Sequence, residues 1–117
     1  MFHQNLKKAQ WTPIETGSTA AGIPDSEFCF PNGIQGWVEH KKMPLVIRDM
    51  QVAWIERRVR LGGRVFIAVR RKTELLLFHG RDVRALKIGG IKAAIPLGQW
   101  DSPWRWPEIE ELLLCGF

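Results

Sequence analysis

Apolar and polar positions along this chain change their period several times, and each change marks an element. Residues 26–30 and 36–41 read as two strands flanking Pro31-Asn32-Gly33, where Asn-Gly is a strong short hairpin signal. Over 47–61 the apolar residues Ile47, Met50, Trp54, Ile55 and Leu61 approximate a helical stripe, and Gly62-Gly63 supplies the stop. Residues 64–70 enclose Val65-Phe66-Ile67-Ala68-Val69, a short β-branched run suited to a strand buried on both faces. A shorter strand follows at 75–78. Helices are expected at 80–86 and at 106–114, the latter opened by Trp106-Pro107-Glu108, with proline in the first turn and acid beside the positive helix end. At the start, 3–9 reads as a short helix and 10–16 as extended, since Pro13 argues against helix continuation. Strands, helix, strands, helices: this order predicts a small α/β domain, a mixed central sheet flanked by helices, rather than a barrel or a bundle.

Composition narrows the picture. At 117 residues the chain matches one domain, and no repeat or low-complexity tract divides it. Lysine and arginine total 17 against 12 acidic residues, a formal charge of +5, which favours anionic partners, nucleic acid first among them. No apolar run has the length of a membrane span, and the first residues lack the basic-then-apolar order of a secretory signal, so a cytoplasmic protein is expected, in the host cytoplasm if phage-encoded. Cys29 and Cys115 have no metal-type spacing and read as two buried thiols. Six tryptophans and no tyrosine are unusual, and Trp100, Trp104 and Trp106 fall close together. Such a cluster serves a core or a subunit contact more often than base stacking.

The stretch richest in chemistry is Gly22-Ile23-Pro24-Asp25, followed after the hairpin by Trp37-Val38-Glu39-His40-Lys41. On a strand Glu39 and Lys41 share a face while Val38 and His40 take the other. Hard oxygen donors such as Asp25 and Glu39 suit Mg²⁺ or Mn²⁺, and a neighbouring lysine can orient water or stabilise charge developing on a phosphorane. Taken alone, one Asp and a Glu-x-Lys are more often the makings of surface ion pairs than of a metal site. The wider frame is more specific: Pro-Asp at a strand start, a hairpin, apolar-apolar-Glu-x-Lys, a helix bearing Gln51 within Arg48-Asp49-Met50-Gln51-Val52-Ala53-Trp54, then a buried strand. That frame, covering about residues 15–69, resembles the PD-(D/E)XK nuclease superfamily, especially its virus-type replication-repair branch and phage or Holliday-junction-resolvase-like endonucleases. The resemblance implies a restriction-endonuclease-like core with Asp25 and Glu39 as metal ligands. It further implies the peptide carbonyl of His40 as another ligand, Lys41 as the catalytic lysine and Gln51 as a helix-borne accessory. Relatives also carry an acid upstream of Pro-Asp, for which Glu15 is the candidate; a plain surface glutamate is the other reading.

The hairpin poses a geometric test. A two-residue Asn32-Gly33 turn would pair Asp25 with His40 and turn it away from Glu39 and Lys41. The site therefore requires a three-residue loop or a bulge that shifts the register by one, with Gly33 at positive φ, or an Asp25 that leaves the sheet at its bend. Alternation also points the His40 ring away from Glu39 and Lys41, making it a packing or surface histidine. Gln51 falls on the helix side of Ile47, Trp54 and Ile55, where a polar amide needs a partner.

Charge concentrates just after these residues. Between Lys42 and Lys72 nine basic residues stand against Asp49 and Glu56, and Lys42, Arg48, Arg57, Arg58, Arg70 and Arg71 are the candidate DNA contacts. No base-reading motif is present, and phosphate contacts carry no direct sequence information, which favours recognition of DNA shape. The expectation is a Mg²⁺- or Mn²⁺-dependent DNA endonuclease, structure-specific for branched, flap or nicked DNA and working as a homodimer. The alternative is a nucleic-acid-binding or subunit-interaction module on a nuclease scaffold.

Overall fold

The computed structural model describes residues 2–14 and 22–116. Six strands form one sheet in sequence order: β1 (Gln10–Pro13), β2 (Ser26–Phe30), β3 (Ile34–Lys42), β4 (Val65–Arg71), β5 (Glu74–His79) and β6 (Gly98–Asp101). All neighbours are antiparallel except β3 and β4. A parallel pair needs a crossover, and the helix α2 (Asp49–Arg60) supplies it. The fold is thus α/β, a mixed sheet with helices on both faces, as the order of elements implied.

Alternation along the central strands builds two cores. Phe66 and Ala68 of β4 with Leu75 and Leu77 of β5 join α1 (Phe2–Asn5) and α4 (Trp106–Cys115) on one face. Val65, Ile67 and Val69 with Leu76 and Phe78 meet α2 and α3 (Val83–Gly89) on the other. Because both faces are covered, β4 carries no polar position from Val65 to Val69, and all five residues are buried. The terminal tryptophans serve this monomer's core: Trp100 is buried, with its indole N–H donating to Glu108 at 2.9 Å, and Trp104 and Trp106 pack against the first cluster. His79, also buried, accepts from the Arg81 N–H through Nδ1 and lies 3.2 Å from the Gly116 carbonyl through Nε2, a structural histidine that ties down the end of α4.

Four local readings require correction. The two thiols expected to be buried are not, since Cys29 is half-buried at β2 and Cys115 is exposed at the end of α4. The helix expected at 3–9 is a single turn, Phe2–Asn5, after which the chain turns into β1 and the Trp11 indole donates to the Leu6 carbonyl at 3.0 Å. The strand β6 has no sequence counterpart among the expected elements, since Gly98-Gln-Trp-Asp offers one apolar residue. It forms because Trp100 reaches the core across Gly98, where a Cβ would lie 2.4 Å from the indole. The helix expected at 80–86 begins as a 3₁₀ turn, Gly80–Asp82, and becomes α-helical only from Val83 to Gly89.

Candidate active site

The hairpin fixes which side chains meet. Pro31, Asn32 and Gly33 form a three-residue turn in which Asn32 (φ 70°) and Gly33 (φ 73°) both take the left-handed conformation. Phe30 therefore pairs with Ile34 and Ser26 with Val38. Continued by one step, this register sets Asp25 opposite Glu39, the shift that the site requires.

Asp25 sits where the chain bends into β2. Its backbone carbonyl still accepts from Ile14, and its N–H donates to Glu39 Oε1 at 3.1 Å. The preceding motif is pinned from the other side: Gly22 adopts φ 94°, and a Cβ there would stand 2.4 Å from the Met50 carbonyl in the first turn of α2. Only glycine fits that approach without strain, so Gly22 sets the distance between the Pro-Asp segment and the helix that carries Gln51.

Glu39 is the hub. It is 7 % exposed, and a carboxylate so buried needs several partners. Oε1 takes the Asp25 N–H, while Oε2 accepts from Gln51 Nε2 at 2.9 Å and from Lys41 Nζ at 3.2 Å. Gln51 closes the loop, its Oε1 accepting from Lys41 Nζ at 3.1 Å and from the Arg48 backbone N–H at 3.0 Å. The second of these bonds caps α2; the same amide thus ends the helix and orients the lysine. Burial, followed by the nearby Asp25 charge, pushes the Glu39 carboxyl above its ordinary value, against the pull of Lys41.

Asp25 behaves differently. Burial would raise its carboxyl too, but His40 more than offsets this and holds it low. The His40 ring Nδ1 lies 2.7 Å from Asp25 Oδ1, and its backbone N–H donates to Oδ2 at 3.0 Å. The ring does point away from Glu39 and Lys41, as alternation required, and it stands edge-on to Phe2 at 5.0 Å. The expectation of a mere packing or surface histidine is incomplete, because the bend at Asp25 swings that carboxylate over the strand to meet it. Neither Phe2 nor this contact had a local signal, since both depend on α1 folding back across the sheet.

The side chains of Glu39, Lys41 and Gln51 are thus brought together, and Asp25 joins them through its backbone N–H while its carboxylate is turned to His40. Glu15 lies outside the described residues. Among the described residues no group of three or more His, Cys, Asp or Glu side chains converges as a metal cage. Two carboxylates, one of them disfavoured as an anion by burial and by the other's charge, are nevertheless a fitting donor set for a hard divalent ion. Mg²⁺ is commonly held by one or two carboxylates with water completing the shell.

The basic candidates separate into two groups. Because α2 runs back against β3 and spans about 18 Å at 1.5 Å per residue, Arg48 at its start lies near the site, as Lys42 does, whereas Arg57 and Arg58 lie at the far end of the helix. Lys42 and Arg70 are partners in the parallel ladder. Arg58 lies over Trp54 and Trp37, 4.5 and 5.3 Å from the ring centres, and Arg71 pairs with Glu74 at 2.9 Å. No described helix is long and apolar enough to cross a membrane. No family model matches the chain, and no curated protein matches it.

Proposed function

We propose that the chain is a Mg²⁺- or Mn²⁺-dependent DNA endonuclease that hydrolyses phosphodiester bonds. Its substrates are branched, flap or nicked DNA in phage or prophage replication, recombination or repair, and it works as a homodimer. The observation that carries this reading is the buried Glu39 carboxylate, which contacts the Asp25 backbone, the Lys41 ammonium and the Gln51 amide together.

Asp25, Glu39 and the His40 carbonyl are the groups that would hold the ion. When bound, the ion polarises the phosphate and acidifies water. Lys41 supplies the charge the protein itself contributes: its ammonium, fixed by Glu39 and Gln51, is placed to orient the attacking water and to stabilise negative charge on the phosphorane. Gln51 keeps that ammonium from swinging away, since its carbonyl accepts from Lys41 while its amide donates to Glu39. Lys42, Arg48 and Arg70 give the approaching backbone a cationic border.

The test is Glu39→Ala assayed for cleavage and for binding of branched DNA. The proposal expects cleavage to be abolished and binding to persist; full cleavage by the variant would reject it.

A further inference from the structure

We infer that the cavity beside Lys42, Arg70 and Trp104 is a binding site for one unpaired nucleotide of the substrate, immediately next to the catalytic residues. The inference rests on the nuclease reading and specifies the DNA that site selects.

The cavity measures about 230 Å³ and lies where β3 and β4 end on the α1 side of the sheet. Phe2, Ala68 and Leu75 give it an apolar floor and the Trp104 indole a flat wall, His40 and Lys41 of the catalytic site complete its lining beside Lys42 and Arg70, and no carboxylate is among the lining residues. Its cations are placed by register: Lys42 and Arg70 are partners on parallel strands, so they leave the same face side by side. Both are exposed, and among the described residues neither meets a carboxylate. Among the described residues Arg70 spends only its Nε, on the Lys72 carbonyl at 3.3 Å, which leaves the outer guanidinium nitrogens for an anion. Arg71, Arg84 and Arg105 are all committed to glutamates.

The wall is held in place before any ligand arrives. Trp104 Nε1 donates to the Thr73 carbonyl at 2.8 Å, and its ring leans on Trp106 at 5.7 Å. A fixed aromatic face beside two unpaired cations matches a planar base carrying a phosphate, since stacking and phosphate contacts are how single strands are held without sequence preference. Its size suits one ring system: at about 230 Å³ it lies below the roughly 300–1,000 Å³ of pockets for drug-sized ligands. Position links it to the chemistry: Lys41 and Lys42 are consecutive on β3 and point to opposite faces. A strand passing the end of β3 would present one phosphate to Lys41 and the next nucleotide to the cavity, a path open to a flap or branch point and closed to intact duplex.

The test is fluorescence anisotropy in EDTA, where no cleavage runs, with labelled oligo(dT) and a blunt hairpin duplex of equal length. The variants are Lys42→Gln with Arg70→Gln, Trp104→Leu, and Lys92→Gln as a cation distant from the cavity. Both cavity variants should weaken oligo(dT) binding about tenfold with a smaller effect on the hairpin. The double variant should also lower the slope of log affinity against log salt by about 1.4, and Lys92→Gln should change neither. Because Lys42 and Arg70 are exposed, the double variant tests the site even if Trp104→Leu unfolds. Unchanged oligo(dT) affinity in the double variant would overturn the inference, as would an equal loss on both probes. Cleavage is read separately in Mg²⁺: a protein that cuts but shows no such loss keeps the nuclease reading and loses the cavity, and one that shows the loss but never cuts does the reverse.

Discussion

His40 holds Asp25 at both carboxylate oxygens, through its ring Nδ1 at 2.7 Å and its own backbone N–H at 3.0 Å. Hydrogen bonds behind a metal-binding group fix its orientation, and their loss commonly costs ten- to a hundredfold in metal affinity. His40→Leu keeps the backbone bond and the apolar contact with Phe2 but removes the ring bond. It should weaken Mn²⁺ binding about tenfold in calorimetric titration, with His40→Gln recovering part of the loss. Unchanged or tighter Mn²⁺ binding by His40→Leu would refute the orienting role.

Glu39 should destabilise the metal-free fold. Its carboxyl titrates above its ordinary value in the folded state, so the folded protein binds that proton more tightly than the unfolded chain does. The linked stability is present below the unfolded value and is lost as pH rises through the raised one, leaving the ionised form a cost at neutral pH. Glu39→Gln, which mimics the neutral carboxyl by keeping one acceptor oxygen and replacing the other with a donating amide, should raise stability in EDTA at pH 7 by about 0.5–2 kcal/mol, a Tm increase of a few degrees. The difference should shrink in acid. A lower Tm for Glu39→Gln at pH 7 would contradict this.

Gly22 offers a structural test of how the site is assembled. Alanine there meets both a strained φ of 94° and the Met50 carbonyl, so Gly22→Ala should lose about 1–3 kcal/mol in urea unfolding. Lys41 and Gln51 remain in place, yet Mn²⁺ affinity should fall, because the Pro-Asp segment moves away from α2. Gly33→Ala is the companion: its Cβ meets nothing within 4 Å, so it should cost only the backbone term of about 1 kcal/mol and leave Mn²⁺ affinity unchanged.

Much of this site was legible because its parts lie in local patterns. Alternation put Glu39 and Lys41 on one face, the helical stripe put Gln51 toward the core, and the need for Asp25 to reach Glu39 demanded a three-residue loop, a bulge or a bend at Asp25, of which the hairpin adopts the three-residue turn. The α/β class with a mixed sheet followed from short apolar strands around a helical stripe, whereas the order of the strands was not read from the sequence. Contacts that close over long sequence distances were not legible. The Asp25–His40 pairing depends on a bend and on Phe2, β6 depends on Trp100 crossing Gly98, and the first helix stops where Trp11 takes a carbonyl. Which of the basic candidates stand near the site was not legible either: the antiparallel course of α2 against β3 carries Arg57 and Arg58 to the end away from Lys41, and Arg58 is engaged by Trp37 and Trp54.

The central claim is that Lys41, held by Glu39 and Gln51, serves metal-dependent phosphodiester hydrolysis. The most direct measurement is nicking of supercoiled plasmid and of labelled flap and four-way substrates in Mg²⁺, Mn²⁺ or EDTA, with Lys41→Ala beside the wild type. The account predicts cutting in Mg²⁺ or Mn²⁺, none in EDTA, and a loss of at least a hundredfold, about 3 kcal/mol of transition-state stabilisation, in a Lys41→Ala protein that still binds the branched substrates. Undiminished cutting by Lys41→Ala, or no cutting of any substrate by a folded wild type that binds them, would contradict it.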